Sequence, residues 1–346
     1  MSSAATVPST ATPTKQQVLL KGLESTGEQS FARVVGANYG FRISNRWEKT
    51  AVNIDEDIKS TNSKYQNCTV DNLENLVDRV IISANHHYTI YKVSQKDAIQ
   101  IRQELSALVG QPVNNIFAQT YPALVDFNSV NPAAGEYLCK VADMGDGIAC
   151  IFASIVKESL PGYRTMTAGV ITSQYFHTVF VPYAADRIEV RITDNAPTRY
   201  HEKHATAIKI EFQNIIGQKG VHYPTTQVNF FKCIESYFND PTSGRIAHAI
   251  LTTGQDSKDA ELKSLRSKDY CARTQQVVDK KNNFNYVCRA ILLRKPYTGI
   301  STGEMDISFF PHKNTWEANF CWCVQVKKPQ TSAALNLIIT DAIARS

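Results

Sequence analysis

The sequence predicts an α+β protein with mainly antiparallel sheets, packed helices and a β-rich C-terminal part. Strand-like and helix-like segments do not alternate regularly, and tight turns rather than helices join several strand pairs. Runs of period-two apolar alternation crowd the C-terminal third.

Each element follows from local pattern. Gln16 to Leu23 reads as a short helix, and Phe31 to Val35 with Tyr39 to Ile43 as a hairpin around Gly-Ala-Asn. Val70, Leu73, Leu76, Val77, Val80 and Ile81 recur at helical spacing, which predicts a helix starting near Thr69. Strand Tyr88 to Val93 follows. Ser94, with Asp97 three residues on, caps a helix that stops at Gly110. Between Glu136 and Val156 two strand runs flank Asp143-Met144-Gly145-Asp146-Gly147, whose residues suit a hairpin turn; the oxygen ligands of a calcium loop are missing.

Tyr175 to Val181 and Arg187 to Ile192 are further strands. In the second, Ile188, Val190 and Ile192 define a core face, and Arg187, Glu189 and Arg191 a charged one. Thr198 to Ile216 predicts a helix ended by Gly217, and Gln227 to Phe238 a shorter one. Strand Arg245 to Leu251 precedes a polar helix, Asp259 to Lys268. Strands Tyr270 to Val278, Asn285 to Arg294, Met305 to Phe310 and Trp316 to Lys327 come next, the first two as a hairpin through Asp279 to Asn283. A helix from Ser332 to Ala344 closes the chain.

With 346 residues, 43% apolar and 20% charged, the chain has enough core to exclude wholesale disorder. The expected organisation is a flexible tail over residues 1–14, an N-terminal α+β domain over 15–160 and a C-terminal one over 161–346. No apolar run reaches membrane-spanning length, and the small, hydroxylated first residues form no secretory signal. The expectation is therefore a cytoplasmic protein without a membrane. Its eight cysteines form no C-x-x-C pair and are expected reduced, which leaves the Asn67-Cys68-Thr69 sequon unused.

The formal net charge of +5 is concentrated: residues 251–328 hold thirteen Lys and Arg against eight Asp and Glu. Two basic sets are the candidate nucleic-acid-binding residues. Arg33, Arg42, Arg46 and Lys49 are interleaved with aromatic residues, Trp47 among them; Lys263, Arg266, Lys268 and Arg273 are followed by Lys280 and Lys281. Guanidinium groups pair phosphates and rings stack on unpaired bases. Phosphate-cradling glycine loops and nucleophile-elbow motifs are absent, so no catalytic residue, metal ligand or cofactor is assigned.

The leading expectation is a non-enzymatic nucleic-acid-binding protein, a homo-oligomer or a subunit of a nucleoprotein assembly. The alternatives are an accessory subunit that binds only protein and a metal-dependent hydrolase or nuclease whose site forms only in space. For the hydrolase, His201, Glu202 and His204 are the best metal candidates, because residues three apart on a helix share a face. Glu261 and Lys263, with Asp256 and Asp259, carry suitable nuclease chemistry but read as solvated charges. Cys321 and Cys323 lie on one face of the last strand, about 7 Å apart at Cα.

Overall fold

The computed structural model describes residues 13–160, 169–252, 259–274, 287–297 and 303–346. Side-chain caps start several helices where the sequence places them. In α1 (Lys15–Ser25) Thr14 and Gln17 form a reciprocal capping box. The hydroxyls of Thr69 and Ser94 accept backbone N–H bonds three residues on and open α4 (Val70–Ser83) and α5 (Gln95–Leu108).

The first expected hairpin is instead helical. Residues Gln29–Asn38 form α2, which buries Phe31, Ala32, Val35 and Gly36. Gly36 permits this packing, since a Cβ there would lie 2.7 Å from Ile43 Cγ1 and 3.6 Å from Leu76 Cδ2 of α4. An irregular segment then leads into α3 (Trp47–Lys59), and the short α6 (Ile116–Thr120) follows α5.

Among the described residues, eleven strands form one sheet: β1 (His86–Lys92), β2 (Gly135–Asp143), β3 (Gly147–Leu160), β4 (Gly169–Pro182), β5 (Arg187–Thr193), β6 (Thr226–Gln227), β7 (Arg245–Thr252), β8 (Ala260–Lys263), β9 (Val287–Tyr297), β10 (Gly303–Phe309) and β11 (Val324–Lys327). Their order is β2-β3-β4-β5-β1-β11-β10-β9-β7-β8, with β6 beside β1, and the pairings are antiparallel. The β2–β3 hairpin turns as expected at Gly145, whose φ is 78° and whose N–H donates to Asp143. Across the expected domain boundary, β3 and β4 pair from Gly147↔Pro182 to Leu160↔Gly169.

Alternation along β3 explains the layers. Ala149, Ile151, Ala153 and Ile155 meet the helical layer of α1, α2 and α4, whereas Ile148, Cys150 and Phe152 meet α5 and α7 (His201–Gly217). At the other end of the sheet, α8 (Phe231–Asn239) and the terminal helix, α10 (Ser332–Ala344), pack on β7, β9, β10 and β11.

Three further expectations change. The expected polar helix contains edge strand β8, which alternates Ala260 and Leu262 with the charged Glu261 and Lys263 and so carries charge on an exposed edge. Of the expected strand Tyr270 to Val278, Tyr270 and Cys271 are irregular and residues 272–274 form a helical turn; residues 275–278, with the Asp279 to Asn283 turn, lie outside the described residues. The last strand is four residues long, because Lys313–Glu317 is a short helix, α9, and Asn319 adopts φ 56°.

The charged face of β5 is also buried. Arg187, Glu189 and Arg191 lie under α4 and α10, where Arg191 donates to the Ile82 carbonyl and Arg187 to Asn336 and Thr340. Among the described residues, no helix is long and apolar enough to cross a membrane.

Candidate functional site

Helix α7 begins with His201, and His204 follows one turn later, so both side chains face the sheet beneath. Each meets a strand histidine. The His201 ring lies 4.2 Å from that of His87 on β1, and the His204 ring 4.9 Å from that of His177 on β4.

Strand register assembles a second set of groups around His87. His87 is opposite Ile192 of β5 on one side and Gln325 of β11 on the other. Asp194 lies two residues after Ile192 and Cys323 two before Gln325, so period two brings all of them to one face. His87 Nε2 is 3.2 Å from Asp194 Oδ1, and His87 Nδ1 is 3.9 Å from Cys323 Sγ. Lys327 Nζ is 2.7 Å from the other Asp194 oxygen, and the Gln325 amide donates to Oδ1.

These contacts set the charge states. Burial opposes ionisation of Asp194, but hydrogen bonds from His87 and Lys327 outweigh it and hold its carboxyl well below the usual range. Burial, reinforced by Cys321 and Glu202, pushes the Cys323 thiol far up, so the sulfur rests protonated. An imidazole placed between a neutral thiol and an ionised carboxylate can take the thiol proton as the sulfur attacks.

Burial keeps His201 and His177 neutral. His201 Nε2 is 2.6 Å from the Ala196 carbonyl, which only accepts, so Nε2 carries the hydrogen and buried Nδ1 presents a lone pair. Burial, with His87 nearby, lowers this imidazole to about 4. His177 Nδ1 accepts the Thr193 N–H, and burial holds that ring far below its ordinary value. His204 Nδ1 lies 2.8 Å from Glu136, which also accepts from Ser154.

Among the described residues, no three His, Cys, Asp or Glu side chains converge to hold a metal ion. His201 and His204 turn to separate partners, and Glu202 is exposed. Cys321 and Cys323 do not share a face, because the chain is not yet extended there: Cys321 is buried in the core under α8 and α10, and Cys323 faces His87. Glu261 pairs with His248 and Asp259 with Arg289, and Asp256 lies outside the described residues.

The basic sets occupy different places. Arg33 is on α2, Arg42 precedes α3, Arg46 caps it, and Trp47 and Lys49 form its first turn. Arg42 is taken by Asp57 and Glu56, whereas exposed Arg33, Arg46 and Lys49 form no ion pair among the described residues. Nine basic side chains between Lys15 and Ser83 face nine acidic ones, so this layer has no net charge.

Lys263 ends β8 beside Glu261, and Arg266 and Lys268 are exposed in the loop beyond. Arg273 is turned inward to the carbonyls of Tyr237, Phe238 and Gly244. Lys280 and Lys281 lie outside the described residues. Seven strand spacings of about 4.8 Å separate β4, under the first set, from β8 along the sheet.

Sequence reasoning singled out Cys323 only beside Cys321 and missed its grouping with His87 and Asp194. Alternation signals their faces, but only the neighbour order β5-β1-β11 brings them together. No protein-family model, curated protein or solved structure matches the chain.

Proposed function

We propose that the protein is a thiol-dependent hydrolase of esters or amides, with Cys323 as nucleophile, His87 as general base and acid, and Asp194 as its positioning partner. The observation that carries this reading is the continuous path from Cys323 Sγ through the His87 ring to Asp194 Oδ1. As the sulfur adds to the carbonyl carbon, its proton passes to His87 Nδ1. That proton leaves with the alcohol or amine, and a thioester remains. Water, deprotonated by His87, then attacks the thioester to release the acid and restore the thiol. The eight free thiols suit a reducing, cytoplasmic setting.

Alkylation by iodoacetamide, followed by peptide mass mapping, tests the pair without knowledge of the substrate. Cys271, also partly exposed, is the internal reference. Because His87 takes the proton as the sulfur reacts, Cys323 is expected to be alkylated despite its raised pKa and to slow about tenfold relative to Cys271 in His87→Gln. An unchanged ratio of the two rates in that variant would remove the catalytic pair.

Arg33, Arg46 and Lys49, exposed beside Trp47 and without carboxylate partners among the described residues, support a second reading, in which the α2–α3 edge binds single-stranded nucleic acid as part of a homo-oligomer or nucleoprotein assembly. Binding to an oligonucleotide should weaken with salt and with Arg46→Ala. Salt-independent retention would remove this reading.

A further inference from the structure

On the sheet face opposite Cys323 and His87, the α1–α2 connection, the end of α4, β4 and the end of β5 enclose a cleft of about 320 Å³. We infer that this cleft is a binding site for a small lactam, a ring that presents a carbonyl beside an N–H, as uracil-type and hypoxanthine-type bases do.

The walls supply the apolar part. Val80, Ile81, Leu124 and Phe176 line the cleft and suit a flat ring, and its volume lies within the range of small-molecule sites.

Two polar groups define the ligand's edge. Gln174 is 7% exposed, and its Oε1 accepts the Val125 N–H at 3.0 Å. That bond fixes the amide orientation, so Nε2 is the group without a partner, a buried donor on a residue that lines the cavity. An unmet buried donor calls for an acceptor, which a ligand carbonyl provides.

Glu28 is the second group. It is 7% exposed in the same wall, and Asn85 donates to its Oε2 at 2.8 Å, which leaves accepting capacity on the carboxyl. Burial raises its pKa to about 7, so ionisation has a cost that a ligand N–H would offset. A carboxylate ligand would lack that N–H and would lose its hydration in the same buried wall, so it is disfavoured. The donor and acceptor together select a neutral ring with the complementary pair.

The test is thermal unfolding and calorimetric titration with uracil, hypoxanthine and 2-pyridone, with benzoate as the anionic control. Each lactam at about 1 mM should raise the melting temperature, and benzoate should not. Gln174→Glu keeps an acceptor for the Val125 N–H and replaces the free donor, so lactam affinity should fall about tenfold or more. Because that change adds a second carboxyl, Glu28→Gln is the companion variant, with a similar loss expected. Failure of all three lactams to bind the parent protein, or equal binding by both variants, would overturn the assignment. Alkylation of Cys323, on the other face, is unaffected by either outcome.

Discussion

Arg191 places Nη2 2.6 Å from Glu189 Oε2 where the two side chains are only 4% and 1% exposed. Arg187 approaches the other Glu189 oxygen at 2.8 Å, so one carboxylate serves two buried guanidinium groups. The extra positive charge is spread over protein groups. Arg191 lies 4.0 Å from the centre of the Phe180 ring and donates to the Ile82 carbonyl, and Arg187 donates to Asn336 and Thr340. This strand therefore ties α4 and α10 to one sheet.

Removing the shared carboxylate should be costly, because it leaves two buried cations facing each other. Glu189→Gln is expected to destabilise the fold by about 3–5 kcal/mol, and Asn336→Ala, which removes one neutral acceptor, by about 1 kcal/mol. Urea unfolding checks both values. A Glu189→Gln cost equal to that of Asn336→Ala would show that the carboxylate is not the anchor.

Two buried histidines should make the fold acid-sensitive. Burial lowers His86 and His201 to about 4 from an ordinary 6.5. Their folded-state values are depressed, so the unfolded chain binds protons more tightly; stability is lost as pH falls from about 6.5 to 4. His201→Gln, whose amide can still donate to the Ala196 carbonyl, should reduce the slope in that window by up to about 1.4 kcal/mol per pH unit. An unchanged slope would mean that His201 is protonated in the fold.

Glu28 acts in the opposite sense. Its folded value, about 7, lies above the ordinary 4.5, so the folded protein holds the proton and loses stability as pH rises from about 4.5 to 7. Neighbouring Asp194 adds to this shift, and Lys327 and the Asn85 amide oppose it. Glu28→Gln should leave stability near pH 5 unchanged and raise it at pH 8 by up to about 3 kcal/mol. Equal effects at both pH values would rule out titration as the cause.

Helices with both a cap and an apolar stripe were legible in the sequence, as Thr69 with Leu73, Leu76 and Val80 illustrates. Phe31 to Val35 was not, because so short a run fits either period; Gly36, which lets α2 approach α4, decides it only in the fold. The twelve-residue alternation from Trp316 to Lys327 misled for another reason. Asn319 tolerates a left-handed backbone, and that turn breaks the strand. At the site, alternation correctly placed Cys323, Gln325 and Lys327 together, but the partners at 87 and 194 depend on strand order, which local pattern does not encode.

Arg273 offers a test of which cations serve the fold and which face outward. Its guanidinium donates to the carbonyls of Tyr237 and Phe238 at the end of α8, to the Gly244 carbonyl and to the Ser243 hydroxyl. Helix ends leave carbonyls without intrahelical partners, and a planar fork can satisfy several of them together. Lysine keeps the charge but has no fork, so Arg273→Lys should destabilise by about 1–3 kcal/mol in urea unfolding. Arg266→Lys and Lys268→Ala, on exposed residues of the preceding loop, should each change stability by less than about 0.5 kcal/mol. If Arg273→Lys is equally silent while oligonucleotide binding falls, Arg273 is a phosphate contact and not a cap.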